Sequence, residues 1–349
     1  MSVWFDRFLK TWASTGVVTD PSDAQANAGF AFLGAAPPTV ELFNALEQYS
    51  DKKDTYLYNQ IAGVIAWGGL TPVETNPNTL RDAIIGKQRQ VLAANATYYV
   101  DIAGNDTTGN GTNATPWRTL QFAYNYVINK IDAAGYTVNI QLKTAGTYAP
   151  VSMTWPIRGQ LCITGDKLNP RNYIIKNTSG QAVYCSQGVT LLLQGVSVEA
   201  TGTAGQYTNN GFGIAAITGA IIYIDAVAFG VCSQGQIFAG SNGLIYPGNG
   251  TSTANIIYGA SPFFIQASIA GSVTLAQTTL TFTGVPNYST SFINSGNLGY
   301  VDFSSPIISG SCTGTKYNVF LNGILITNNA GATVPGSIAG TVASGGQLL

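Results

Sequence analysis

Gly188-VTLLL-Gln194-GVSV (188–198), Gly219-AIIYI-Asp225-AVAF (219–229) and Gly271-SVTLA-Gln277-TTLT (271–281) carry one pattern: a glycine, five residues, one polar residue, then a second β-rich stretch. The copies start 31 and 52 residues apart (188 to 219, 219 to 271), which suits one and two irregular turns of a coil. Side chains in such a coil alternate between core and solvent, and each turn stacks on the last at about 4.8 Å. We therefore read residues 136–312 as a parallel β-helix. No strict hexapeptide repeat is present, so variable loops and a right-handed coil are expected rather than the left-handed form.

Charge supports this reading. Of 15 basic and 16 acidic side chains, only Glu199, Asp225, Asp302 and Lys316 lie beyond residue 176. Solubility there must come from hydroxyls, amides and backbone, in a composition rich in Gly, Thr, Ser and Asn, which suits stacked strands and turns. The chain of 349 residues is 45% apolar, ample for a core. Net charge of −1 and an isoelectric point near 5.4 supply no clustered Lys/Arg footprint for nucleic acid or an anionic membrane, and neither partner is expected.

Histidine is absent, which excludes a Ser-His-Asp triad, a Cys-His pair and His-ligated zinc or iron. Cys162, Cys185, Cys232 and Cys312 show no C-x-x-C spacing and sit in strand-like surroundings, so buried free thiols are expected. No cofactor or metal is assigned. The apolar segment 214–232 holds Gly219 and Asp225 among strand-favouring residues and reads as one solenoid turn, not a membrane span.

Residues 1–92 form a distinct, charged and largely helical region. Thr39-ELFNALEQYSDKKDTYLYNQIAGVIAWGG places Leu42, Leu46, Tyr49, Leu57, Ile61, Val64 and Ile65 at helical spacing, and a shorter helix is expected over roughly 78–92. Trp4, Phe5, Phe8, Leu9 and Trp12 share one stripe, which suits docking onto a partner chain. Asp6, Arg7 and Lys10 interrupt this start, so it lacks a signal-peptide core and synthesis in a cytoplasm is expected. Residues 93–135 read as strand (98–102), polar Gly/Asn loop and a helix with Leu120, Phe122, Ala123, Tyr126, Val127 and Ile131, stopped by Gly135. Such a unit caps the first exposed edge of a solenoid.

Residues 21–85, PSDAQANAGFAFLGAAPPTVELFNALEQYSDKKDTYLYNQIAGVIAWGGLTPVETNPNTLRDAI, resemble the N-terminal segment of bacteriophage tail fibres. Residues 97–135 resemble the opening of pectate-lyase-like β-helices in tailspikes, and 313–347, TGTKYNVFLNGILITNNAGATVPGSIAGTVASGGQ, are similar to the closing stretch of phage β-helix proteins. Lys316-Tyr317 and Leu348-Leu349 stand where related stretches tend to have an arginine-tyrosine pair and a terminal aromatic. The resemblance implies a virion protein: a homotrimer of β-helices, joined to the phage tail or baseplate through residues 1–92 (Trp4, Phe5, Phe8 and Trp12 foremost) and facing the host surface polysaccharide.

Tailspikes often cut polysaccharide, and glycoside hydrolysis needs two carboxyl groups about 5 to 9.5 Å apart. The catalytic candidates are Glu199 and Asp225, yet the repeat alignment offsets them along the strand direction by some 15 Å, at about 3.3 Å per residue. A lyase base is scarce: Asp166, Lys167 and Arg171 in TGDKLNPRN read as a solvated loop, and Asp101 and Asp106 as turn formers rather than calcium ligands. Binding without cleavage would use aromatic faces and neutral hydrogen-bonding groups, with Tyr207, Tyr223, Tyr246 and Tyr258 as the glycan-binding candidates among further aromatics such as Tyr184 and Phe263. A polysaccharide depolymerase and a purely structural virion component are the alternatives.

Overall fold

Alternation of apolar and polar side chains drives residues 89–349 into short strands whose inner faces share one core. The computed structural model describes residues 89–202, 211–248, 254–328, 331 and 334–349. The expected helices before residue 89 and the stripe Trp4, Phe5, Phe8 and Trp12 lie outside the described residues, as does Tyr207. The described residues belong to one unit, Arg89–Leu349.

Its strands form a ten-stranded, a nine-stranded and a seven-stranded sheet, with every pairing between successive turns parallel. The chain visits them cyclically. Thr190–Gln194 lies in the ten-stranded sheet, Ser197–Ala200 in the seven-stranded and Phe212–Ala216 in the nine-stranded, and Ile221–Asp225 then returns to pair with Thr190–Gln194. This connectivity is that of a parallel β-solenoid. Segment 214–232 is accordingly distributed over three strands, and no helix among the described residues is long and apolar enough to cross a membrane.

Inside the coil, Leu161, Leu191, Ile222, Ile245, Val273, Val301 and Leu325 stack rung upon rung, all at most 1% exposed. Each such side chain contributes about 1.5 to 3 kcal/mol by leaving water. Further along, Phe229, Phe264, Phe292 and Phe303 interlock, with ring centroids 4.7 to 5.7 Å apart. All four cysteines are buried and unpaired, as their strand-like surroundings suggested.

A helix packs onto the core beside the first strands. Helix α1, Leu120–Lys130, starts at Thr119, whose hydroxyl accepts the Phe122 amide, and Asp106 accepts the Arg118 and Thr119 amides just ahead of it. Its Leu120, Ala123 and Val127 are buried, and Trp117 packs against Tyr98 and Tyr126 at 5.4 and 4.7 Å. Three boundaries differ from the sequence reading, the first being the opening strand, which is Ala96–Val100 rather than 98–102. The helix ends at Lys130 rather than running to Gly135, because Ile131–Asp132 leaves it to pair with Gln90–Val91. Residues 90–91 are therefore strand, not the end of a helix, and Leu92 joins the solenoid core.

The repeat register is confirmed for the first pair: Thr190 opposes Ile221 and Gln194 opposes Asp225. The third copy is one residue out. Ile221 opposes Leu244 and Leu244 opposes Ser272, so Val273 points inward with Ile222, whereas alignment on glycine paired it with Ile221. A slip of one flips every side chain to the other face. The glycines misled because they do different jobs. Gly188 and Gly219, with φ of 76° and 73°, lie inside left-handed turns, while Gly271 follows the turn where a Cβ would lie 2.2 Å from the Ala239 carbonyl oxygen. Those turns stack into a ladder joining the nine-stranded to the ten-stranded sheet, and include the non-glycine pairs Ser241–Asn242, Ile269–Ala270 and Asn297–Leu298.

Candidate functional site

The outer face of the ten-stranded sheet is built from the residues between the inward ones. Leu192, Tyr223 and Tyr246 oppose one another on three consecutive rungs, and the next two rungs place Thr274 and Asp302 opposite each other. Tyr223 and Tyr246 are half-buried, with ring centroids 6.0 Å apart and planes inclined at 31°. The parallel register holds them, because each follows an inward isoleucine by one residue: Ile222 and Ile245. Two of the four tyrosines singled out from sequence thus share one column.

Asp225 ends the Tyr223 strand and is 8% exposed. Its Oδ2 lies 2.7 Å from Lys167 Nζ, and the lysine side chain is 42% exposed. So half-exposed a pair contributes about 1 kcal/mol or less. Glu199 is on a different sheet. It opposes Lys176 on the seven-stranded sheet, whose Nζ lies 2.9 Å from Oε2, and its Oε1 accepts from the Tyr258 hydroxyl at 2.9 Å. With the phenol donating to Glu199, the Ser197 hydroxyl 2.7 Å away donates to Tyr258. Arg171 covers the ring, its guanidinium carbon 4.3 Å from the centroid. Gly230 makes this closure possible, since a Cβ there would stand 2.6 Å from both Glu199 Cγ and the Tyr258 oxygen.

The two acidic candidates therefore sit on different sheets, each neutralised by a lysine. The sequence reading offset them along the strand direction; the structure adds that they belong to different sheets. Tyr258, half-buried like Tyr223 and Tyr246, is tied instead to Glu199, Ser197 and Arg171, and burial, helped by the Glu199 carboxylate, pushes its phenol up to about 12. The TGDKLNPRN segment is only partly the solvated loop that was expected. Asp166 is half-buried and caps its own turn by accepting the Leu168 amide, while Lys167 and Arg171 fold back onto Asp225 and Tyr258.

Asp101 and Asp106 act in turns: Asp101 accepts the Ala103 amide and the Thr144 hydroxyl, and Asp106 serves the helix start. No group of three or more potential metal ligands occurs among the described residues. Sequence reasoning missed Tyr300 and Asp302, which project from the same outer face. Their tripeptide, Tyr300-Val301-Asp302, echoes Tyr223-Ile224-Asp225 in sequence, yet the register sets Tyr300 in the column of Ile221, two residues away, so that echo alone would have misplaced them.

Compared with protein-family models, curated proteins and solved structures, the chain matches none.

Proposed function

We propose that this chain is a bacteriophage tail fibre or tailspike subunit that attaches the virion to its host by holding a surface polysaccharide along the outer face of the ten-stranded sheet, without cutting it. In this reading the coil is right-handed, three copies assemble side by side, and residues 1–92 join the assembly to the tail or baseplate. The observation that carries the binding role is the Tyr223–Tyr246 column, two half-exposed aromatic rings one rung apart on a nearly uncharged surface. Aromatic faces take the apolar faces of sugars, and the surrounding hydroxyls and amides take their hydroxyl groups. Binding without cleavage is favoured because Glu199 and Asp225 are each held by a lysine on separate sheets, not poised as a pair.

The test is incubation of the purified full chain with host capsule or lipopolysaccharide, followed by sizing of the glycan. Retention without shortening is expected, with a loss of at least tenfold in affinity for Tyr223→Ala and Tyr246→Ala and no loss for Glu199→Gln. Shortened glycan abolished by Glu199→Gln would establish a depolymerase instead. Absence of retention would refute the attachment role.

A further inference from the structure

We infer that the outer face of the ten-stranded sheet contains a slot one rung wide, between Tyr246 and Asp302, that receives a sugar ring bearing hydrogen-bond donors and no carboxylate. The inference rests on the glycan-binding reading and deepens it by naming the class of sugar and the residue that selects it.

The register builds the slot. Leu244 and Tyr246 project from the strand Leu244–Pro247, Ser272 and Thr274 from the next, and Tyr300 and Asp302 from the one after. Small side chains on the middle rung lie between taller ones on both flanks. Two rung spacings separate the flanking backbones by about 9.5 Å, at about 4.8 Å per rung. All six side chains are partly exposed, so the slot opens to solvent. The Tyr300 phenol is raised by burial, then by the Asp302 charge and by Tyr246, which agrees with the three groups facing one another.

Asp302 gives the slot its chemistry. Between residues 226 and 315 it is the one Asp, Glu, Lys or Arg in the sequence. One of its oxygens, Oδ1, accepts the Ser304 amide at 3.0 Å, and Oδ2 has no hydrogen-bond partner or cation among the described residues. Asp225 and Glu199, by contrast, each face a lysine. A carboxylate without a counter-ion in an uncharged stretch attracts donors such as paired hydroxyls or an amino group, and repels a carboxylate-bearing sugar. Tyr246 and Tyr300 supply the flanking aromatic surface.

The experiment is calorimetric titration of the full chain and of Asp302→Asn with three probes: a glucosamine tetramer, its N-acetylated counterpart and tetragalacturonate. Asparagine keeps the acceptor for the Ser304 amide, and an unchanged thermal midpoint shows that the fold is intact. The wild type is expected to bind the first two in preference to tetragalacturonate, and Asp302→Asn to narrow that preference at least tenfold. Tyr300→Ala is expected to weaken the preferred probes by a similar factor. If tetragalacturonate is preferred, or if host polysaccharide is retained and Asp302→Asn changes nothing, the slot is refuted and the wider glycan reading stands. If the wild type binds no glycan at all, both fall.

Discussion

Replacing Gln236 with leucine tests whether buried amides brace successive rungs of this solenoid. Gln236 is fully buried. Its Nε2 donates to the carbonyls of Gly230 and Gly259, both at 2.8 Å, and its Oε1 accepts from the Tyr288 hydroxyl at 3.0 Å. Leucine fills similar space, so little cavity forms, but two carbonyls and one phenol lose a partner where water cannot replace it. Each orphaned group costs about 1 to 3 kcal/mol, with the carbonyls at the lower end because each keeps a second acceptor position. The expected loss is about 3 kcal/mol. A cycle with Tyr288→Phe isolates the phenol: alone, that change strands the Gln236 oxygen and costs about 1 to 2 kcal/mol, whereas beside Gln236→Leu it removes an orphan and costs about nothing. Urea denaturation of all four proteins, followed by circular dichroism, measures the difference. Additivity within about 0.5 kcal/mol, or a Gln236→Leu loss below about 1 kcal/mol, would refute the bracing argument.

Alkali provides a second test. Burial pushes the phenols of Tyr148 and Tyr258 up to about 12 from 10.0, and the thiols of Cys232 and Cys312 up to about 12 from 9.0. Because the fold favours the protonated forms, their contribution is fully present below pH 9 and is lost as pH rises from 9 to 12, where the unfolded chain deprotonates first. The urea midpoint should fall steadily across that window, and a flat profile would contradict the burial of these groups. Backbone crowding gives a third. Gly259→Ala would put a Cβ 1.9 Å from the Gly230 carbonyl carbon and 2.1 Å from the Val231 nitrogen, both backbone atoms, and should cost about 3 kcal/mol or more. Gly135→Ala meets nothing within 4 Å and strains only a φ of 92°, so its cost should be about 1 to 2 kcal/mol. Equal thermal shifts for the two would refute the distinction.

The architecture of residues 89–349 was legible in the sequence because it depends on short-range regularities. Short apolar, β-branched runs such as VTLLL and AIIYI, each bounded by a glycine and a polar residue, favour strands over helices, and the scarcity of charge leaves few side chains to oppose stacking of like on like. The opening helix was legible for the same reason, since Leu120, Ala123 and Val127 recur at helical spacing. Register beyond the first repeat was not. It depends on rung lengths that vary, and on whether a glycine sits within a left-handed turn, as Gly219 does, or after it against a neighbouring carbonyl, as Gly271 does.

Partnerships between side chains lay further out of reach. Tyr223, Tyr246 and Tyr258 are alike in sequence. Yet parallel register sets the first two side by side on one face, while a loop from an earlier turn brings Arg171 over the ring of the third, whose hydroxyl is bound to Glu199. The fates of the carboxylates diverge similarly: Lys167, 58 residues away in sequence, reaches Asp225, whereas no cation among the described residues reaches Asp302. Composition and periodicity determined that the chain would coil. Which groups meet across the rungs was decided only when the coil closed, because those contacts join residues that no local pattern relates.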